Sequence, residues 1–314
     1  MTTNTEKLDR QRLTRVIGQY PVDPSNQTAG PYLLVSGGVH GNEPSGVLAI
    51  QRIFEKLKNE APELTGKIIG VTGNVTAMKK GVRLVEKDLN RICTSEFERQ
   101  LKSGKADGFQ EALEFHELTR IVERLENEEM NTEMFFMDLH TTSSETIPYI
   151  SVNQLESSFS FAKRMPLPVV KGIEKFIPGH FDHFLTLKGH TGFTMEAGQH
   201  EDPKSVDYHE AAIWVILVRT GMLEEKAIDY EYYYKLLSDS SATEENFEVT
   251  YRQEIQEGEV FKMDPGFSNF SKITQGQRLA TLNGEVVSSN ADGRIFLPLY
   301  QSQGSDGFFI VQPV

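Results

Sequence analysis

Short apolar runs alternate with helix-like patterns over the first two thirds of the chain, and this alternation constrains the fold more than any other feature. The apolar runs are YLLVSGG, KIIGVTG and EMFFMDLH, and the helix-like patterns include VLAIQRIFEKLKN and FQEALEFHELTRIVERLE. Such alternation is typical of an α/β sheet whose strands are buried on both faces. We therefore predict a sheet flanked by helices, with a long loop between KIIGVTG and FQEALEFHELTRIVERLE.

Two of the helical patterns show which side they bury. Pro44 suits the first position of the first helix, where a missing N–H costs nothing. The apolar residues of this helix recur at spacings of three and four and should face the sheet: Val47, Ile50, Phe54 and Leu57. A later pattern, AAIWVILVRTGML, is apolar nearly all round, which predicts a buried helix with Trp214 in the core.

The pattern changes near residue 245. The polar segment SDSSATEE has the composition of a solvated linker, and beyond it come short β runs such as FEVTYRQEI and GRIFLPLY, with no helical period. The run GQRLATLNGEVVSSNADGRIFLP resembles the barrel-sandwich pattern of lipoyl-like modules, without a modifiable lysine at the turn. We predict an α/β domain over residues 1–245 and a small all-β domain over residues 246–314.

Charge and composition argue against several classes of protein. The 45 acidic and 32 basic residues give a net charge of −13 with no Lys/Arg-rich tract, so we expect no nucleic-acid partner. No apolar run reaches the roughly 18 residues of a membrane span, and the N-terminus lacks the apolar core of a signal peptide, so we expect a cytoplasmic protein. Cys93 is the only cysteine, so any metal site must use His, Asp and Glu.

Two segments place metal-binding side chains at predicted strand ends. In VSGGVHGNEPSG, His40 follows a strand and Glu43 lies in the glycine-rich turn into the next helix. His140 ends the run MFFMDLH, and Asp138 points to the same side of that strand. Open α/β sheets bind ligands at such strand ends, and a His₂Glu set leaves catalytic zinc an open position for water. Taken alone, His40 also fits a hydrogen-bonded structural histidine.

Two further segments carry groups that suit substrate binding and proton transfer. The loop RLVEKDLNRIC contains Arg83, Asn90 and Arg91, and an arginine fork can clamp a carboxylate, although a solvated surface loop also fits. In GHTGFTMEAGQH, Glu196 ends a short apolar run. A carboxylate there can take a proton from a zinc-bound water and return it to a leaving amine, and an ordinary loop glutamate is the alternative.

Taken together, HGNE, DLNR, DLH and the glutamate of MEAG resemble, in their order and separation, the succinylglutamate desuccinylase and aspartoacylase family, a branch of the zinc carboxypeptidase-like hydrolases. The resemblance covers about residues 30–200 and fits the C-terminal β region. It implies a zinc-carboxypeptidase-like mixed sheet flanked by helices, followed by a barrel-sandwich-like domain. It also implies one zinc ion per chain, held by His40, Glu43 and His140.

The resemblance further assigns roles to five residues. Glu196 would be the general base and acid, and Arg83 would help to polarise the scissile carbonyl. Asn90 and Arg91 would bind a substrate carboxylate, and Asp138 would accept a ring N–H from a zinc histidine.

The chain departs from the family in two places, and it also contains a rival metal pair. Shortly before the catalytic glutamate, aspartoacylases carry an arginine that grips a second substrate carboxylate, where this chain has Thr186 and Lys188. The run LPLYQSQGSDGFF does not reproduce the stretch that supplies a substrate-facing tyrosine, and Tyr300 is the nearest one. In GHFDHF, His180 and His183 form a rival metal pair that also fits a pocket lining.

From these features we predict a zinc-dependent amidohydrolase that removes the acyl group from an N-acyl amino acid. One alternative is a carboxypeptidase-type peptidase, since the same metal and base cleave short peptides. The other is a non-catalytic binding protein on the same scaffold. The sequence leaves open the acyl group, the amino acid and the native metal, and it is compatible with a homo-oligomer.

Overall fold

The computed structural model describes residues 7–106, 108–128, 132–241, 243, 245–300 and 304–314. These residues contain eight α-helices: α1 (Ser45–Glu60), α2 (Val75–Lys80), α3 (Ser95–Lys102), α4 (Gln110–Glu128), α5 (Glu156–Ala162), α6 (Phe181–Leu187), α7 (Ser205–Arg219) and α8 (Tyr230–Ser240). In the same ranges, none of the helices combines the length and the apolar character needed to cross a membrane.

The strands of the described residues number fourteen. Those before the predicted boundary are β1 (Val16–Tyr20), β2 (Thr28–Gly37), β3 (Thr65–Thr72), β4 (Met134–Thr142), β5 (Tyr149–Val152), β6 (Val169–Lys171) and β7 (Thr191–Gln199). Those after it are β8 (Phe247–Glu254), β9 (Phe261–Met263), β10 (Lys272–Ile273), β11 (Arg278–Leu282), β12 (Glu285–Ser288), β13 (Gly293–Phe296) and β14 (Asp306–Pro313).

Eleven of these strands form one mixed sheet in the order β1-β3-β2-β4-β7-β5-β6-β8-β14-β13-β10. The strands β3, β2, β4 and β7 are parallel neighbours, whereas β5 runs antiparallel to β7. Parallel neighbours need long crossovers, which the helices between these strands supply. The predicted mixed sheet flanked by helices is confirmed.

Alternate residues of the central strands pack into two cores on opposite faces of the sheet. Leu33 of β2 lies in a cluster with Trp214 of α7 and with residues of α1. Its neighbour Leu34 lies in a second cluster with Phe115 of α4 and Phe181 of α6. Successive side chains of a strand point to opposite faces, so the two-sided burial follows from the strand itself. Trp214 is a core residue, as predicted.

Three local predictions differ from the structure. Pro44 adopts helical dihedrals (φ −77°, ψ −17°) but immediately precedes the first helical residue, Ser45, one position earlier than predicted. The predicted long loop between β3 and α4 contains the short helices α2 and α3. Finally, Glu196 does not end its strand, since β7 continues to Gln199.

The chain after α8 is all-β in the described residues, as predicted. Strand β8 pairs in parallel with β6, with Phe247 opposite Val170, so the large sheet continues past residue 245. Strands β8, β14, β13 and β10 are antiparallel neighbours, and β9, β11 and β12 form a separate three-stranded sheet. The division into two domains stays a prediction. The continuous sheet brings the start of β14 close to the central strands.

The buried helix α7 supplies a test of the packing. We expect Leu217→Ala to lower the free energy of unfolding by about 2 to 5 kcal/mol, because Leu217 is fully buried and the substitution leaves a cavity. The same substitution at Leu113 on α4, which is 60% exposed, should change it by no more than about 0.5 kcal/mol. Urea titrations of the two variants measure both values, and equal losses would contradict the packing described here.

Candidate metal centre and active-site cavity

The turn between β2 and α1 is fixed by close backbone packing. A Cβ atom at Gly41 would lie 2.1 Å from the carbonyl carbon of Ala77 in α2, so only glycine fits there. The Gly41 N–H donates to the carbonyl oxygen of Arg83 at 3.0 Å. This packing positions His40 and Glu43, which flank Gly41 in the turn.

His40, Glu43 and His140 converge in the interior of the protein. Glu43 Oε1 lies 2.9 Å from His40 Nδ1, and Glu43 Oε2 lies 3.1 Å from His140 Nδ1. One ligand atom from each of the three buried residues lies within 4.8 Å of the others. Within the described ranges this is the single group of His, Cys, Asp and Glu side chains with metal-site spacing, and His180 and His183 are not in it.

The outer nitrogens of both imidazoles also face carboxylates. His40 Nε2 lies 3.2 Å from Asp88 Oδ1, and His140 Nε2 lies 3.0 Å from Asp138 Oδ2. Ionised carboxylates accept hydrogen bonds and do not donate them. If each neutral ring carries its proton on Nε2, that N–H donates to Asp88 or Asp138, and the unprotonated Nδ1 faces Glu43 without a hydrogen bond. A divalent cation among the two Nδ1 atoms and the Glu43 carboxylate satisfies every one of these groups. The donor set therefore fits zinc.

The sequence predicted the position of Asp138 but missed the contact that Asp88 makes. Asp138 also accepts from the Ser36 hydroxyl at 2.6 Å, which fixes its orientation. Asp88 is the first residue of DLNR, and its carboxylate reaches both His40 and Arg83. The DLNR motif could have indicated this role, because the resemblance to the family places all four of its residues at the site.

Electrostatic interactions keep the carboxylates of this centre ionised. Burial opposes the ionisation of Glu43, but His40 and His140 outweigh it and hold the Glu43 pKa well below its usual range. Burial likewise opposes the ionisation of Asp88, and His40 followed by Arg83 lowers its pKa. Without a metal these low pKa values require protonated imidazoles, and a bound cation would supply the same positive charge to neutral rings.

Glu196 lies beside this centre on the neighbouring strand. In the register of β4 and β7 it stands opposite His140, and in the register of β5 and β7 it stands opposite Tyr149. Burial is the main cause that raises the pKa of Glu196 to about 8, against the opposing effect of His140. Its Oε2 is buried and has no hydrogen-bond partner among the described residues. Such a carboxyl group is suited to exchanging protons at neutral pH.

Arg83 and Asn90 also face the metal-ligand group. Arg83 Nη2 donates to Asp88 Oδ2 at 3.1 Å, and its Nη1 lies 3.8 Å from Glu43 Oε1. Asn90 Nδ2 lies 3.4 Å from His140 Nε2, while its Oδ1 accepts the N–H of Phe181. Arg83 is therefore held beside the carboxylate of Glu43, and Asn90 is held beside the outer nitrogen of His140.

One cavity of about 440 Å³ is lined by His40, Glu43, Arg83, Asp88, Asn90, His140 and Glu196. Asp138 contacts His140 but is not among the lining residues. The C-terminal β region forms part of the wall through Phe296, Leu297, Asp306 and Phe309. No local sequence pattern indicated the wall residues Tyr149 and Asp306, because strand pairing over long sequence distances brings them there. A cavity of this size suits a small molecule.

Arg91 reaches the cavity but is already paired. Its Nη1 donates to the carbonyl oxygen of Asn90 at 2.9 Å and lies 3.4 Å from Nε2 of His180. Its Nη2 donates to Asp306 Oδ2 at 3.0 Å. The predicted carboxylate clamp is thus held by a carboxylate of its own chain.

Three residues from the segments that depart from the family lie away from the cavity wall. Lys188 Nζ lies 3.6 Å from a carboxylate on α3 and from another on α4. The Thr186 hydroxyl accepts a hydrogen bond from Asn153. The Tyr300 hydroxyl donates to the carbonyl oxygen of Asp264 at 2.9 Å. None of the three is among the cavity-lining residues of the described chain.

Comparison with known proteins decides the family. The profile of the succinylglutamate desuccinylase/aspartoacylase catalytic domain matches residues 29–214, which is more than half of the chain. The chain belongs to the succinylglutamate desuccinylase/aspartoacylase family. The resemblance predicted from the four motifs is therefore confirmed.

Individual members of the family are distant in sequence. A succinylglutamate desuccinylase of Ectopseudomonas mendocina is 28% identical over 118 residues, which span 38% of this chain and 33% of the relative. The chain therefore matches only a third of the length of that curated relative.

Solved structures of the family share the fold. A succinylglutamate desuccinylase/aspartoacylase from Rhodobacter sphaeroides has a TM-score of 0.67 and 17% identity, with 92% of this chain and 87% of that chain covered. A succinylglutamate desuccinylase from Vibrio cholerae has a TM-score of 0.66 and 14% identity, with 92% and 83% covered. At these identities the likeness shows the fold alone.

The contact between Asp88 and His40 supplies a test of the metal centre. We expect Asp88→Asn to weaken zinc binding by about 10- to 100-fold. The neutral amide oxygen accepts the ring N–H of His40 more weakly than the carboxylate does, so the ring is held less firmly. Competition with a chromogenic chelator measures the affinity. The control is Asp239→Asn on α8, where the same charge is lost from a side chain that is 61% exposed. Equal affinities of Asp88→Asn and wild type would contradict this role.

Proposed function

We propose that the protein is a zinc-dependent hydrolase that cleaves the amide bond of an N-acyl amino acid. The observation that carries this proposal is the register of β4 and β7, which sets Glu196 opposite His140. A buried proton acceptor thus lies beside a His₂Glu ligand set in a single small cavity. The names of the family's desuccinylases, which denote removal of an acyl group, support the same reaction class.

His40, Glu43 and His140 would hold the zinc ion. When bound there, zinc supplies a Lewis acid that lowers the pKa of water and polarises a carbonyl group. Asp88 and Asp138 keep the ring protons on the outer nitrogens, so both Nδ1 atoms stay available as ligands.

Glu196 moves the proton in this mechanism. Its carboxylate accepts a proton from the attacking water molecule and then delivers that proton to the nitrogen of the leaving amine. Burial raises the pKa of Glu196 to about 8. The protonated and ionised forms of this carboxyl group are therefore close in free energy near neutral pH, which supports both proton transfers.

Arg83, Asn90 and Arg91 would orient the substrate. The Arg83 guanidinium, fixed by Asp88, donates to the carbonyl oxygen as negative charge develops on it. The Asn90 amide and the part of the Arg91 guanidinium that Asp306 does not occupy bind the α-carboxylate of the amino acid. Positioning by these fixed groups lowers the entropy that must be lost in reaching the transition state.

Replacement of Glu196 tests this mechanism. We expect Glu196→Gln to retain zinc and to lower kcat by a factor on the order of 10² to 10⁴, because the amide cannot accept the proton. The measurement is steady-state hydrolysis of N-acyl amino acids with the zinc content determined in parallel. Glu201→Gln, the same change at an exposed position nearby, is the control and should keep normal turnover. Near-normal turnover in Glu196→Gln would contradict the proposed role of Glu196.

A further inference from the structure

The positive charges of the cavity are already matched by carboxylates of the chain. Two basic side chains line the cavity in the described ranges, and both are arginines, Arg83 and Arg91. The residues outside those ranges include neither lysine nor arginine. Arg83 pairs with Asp88, and Arg91 pairs with Asp306. A second substrate carboxylate therefore meets no cation that lacks an internal partner.

Asp306 is held firmly at this position. It is the first residue of β14, and its Oδ1 accepts from Arg252 Nε at 2.7 Å and lies 2.6 Å from Arg252 Nη2. Its Oδ2 accepts from Arg91 Nη2 at 3.0 Å. The side chains of Asp306 and Arg252 are only 15% and 16% exposed, so solvent screens the pair weakly. The carboxylate is a built part of the cavity wall.

The cluster of Arg91, Arg252 and Asp306 contains two guanidinium groups and one carboxylate, and Arg252 also pairs with the half-exposed carboxylate of Glu254 at 3.2 Å. Arg91 is the cation of this cluster that lines the cavity, so the corner can match one substrate carboxylate. A second carboxylate in the same corner faces the negative charge of Asp306, and like charges at such sites discriminate strongly against a ligand. Lys188 does not supply the missing cation, because it pairs with carboxylates on α3 and α4.

We propose that Asp306 is a specificity-determining residue that restricts the site to N-acyl amino acids with a single carboxylate. This inference rests on the proposed function and names its substrate class. Relatives named for succinylglutamate act, by that name, on a compound with several carboxylates. In this chain a carboxylate from β14 occupies Nη2 of Arg91, which leaves that guanidinium with room for a single substrate carboxylate.

The test compares N-acetylaspartate with N-acetylasparagine, which have nearly the same shape and differ in one carboxylate. We expect zinc-loaded wild type to prefer N-acetylasparagine in kcat/KM by about tenfold or more, and calorimetry to give the same order of binding. Asp306→Asn should reduce the preference by about tenfold, mainly through KM for the aspartate compound. Asp264→Asn is the matched control, since it loses an Arg-paired carboxylate of the same β region outside the cavity.

A second variant should change the substrate preference in the opposite direction. Arg252→Gln removes a cation from the cluster and should increase the preference for N-acetylasparagine, so the inference stays testable if Asp306→Asn does not fold. Wild-type preference for N-acetylaspartate, or an unchanged preference in a folded Asp306→Asn or Arg252→Gln variant, would overturn it.

Binding and turnover separate this inference from the proposed function. If N-acetylasparagine binds more tightly than N-acetylaspartate but neither compound is hydrolysed, the result contradicts the proposed reaction and still supports the selectivity of the site. Hydrolysis with the reverse preference overturns the role of Asp306 alone. Failure of both compounds to bind overturns both.

Discussion

Two buried imidazoles, each placed between two carboxylates, are the interaction on which the rest of the site depends. His40 lies between Glu43 and Asp88, and His140 lies between Glu43 and Asp138. Ionised carboxylates are costly to bury unless they are paired, so this arrangement is stable only with protonated rings or with a bound cation. A divalent metal would satisfy the same carboxylates while both rings stay neutral.

The sheet is what brings these groups together. The parallel strands β2, β4 and β7 are neighbours, so the ends of all three reach the same edge of the sheet. This edge carries the proposed metal ligands, which follow β2 or lie on β4, and Glu196, which lies on β7. The C-terminal strands extend the same sheet and add Asp306 to the cavity wall. The cavity is therefore built from segments far apart in the chain.

The residues near the strand ends were predictable from the sequence, whereas those across the cavity were not. His40, Glu43, His140 and Glu196 follow or lie within apolar runs that the period of the pattern identifies as strands. Short helices such as α2 and α3 have too few turns to show a clear period, so their segment was predicted as a loop. The pairing of Asp306 with Arg91 depends on the register of β14 in the sheet, which no local pattern encodes.

X-ray absorption spectroscopy of the purified protein, combined with elemental analysis, would identify the metal and its ligands. We predict one zinc ion per chain, held by two imidazole nitrogens and a carboxylate. Glu43→Ala should lose this ion or bind it far more weakly. A protein without stoichiometric metal, or a zinc environment unchanged in Glu43→Ala, would contradict the account.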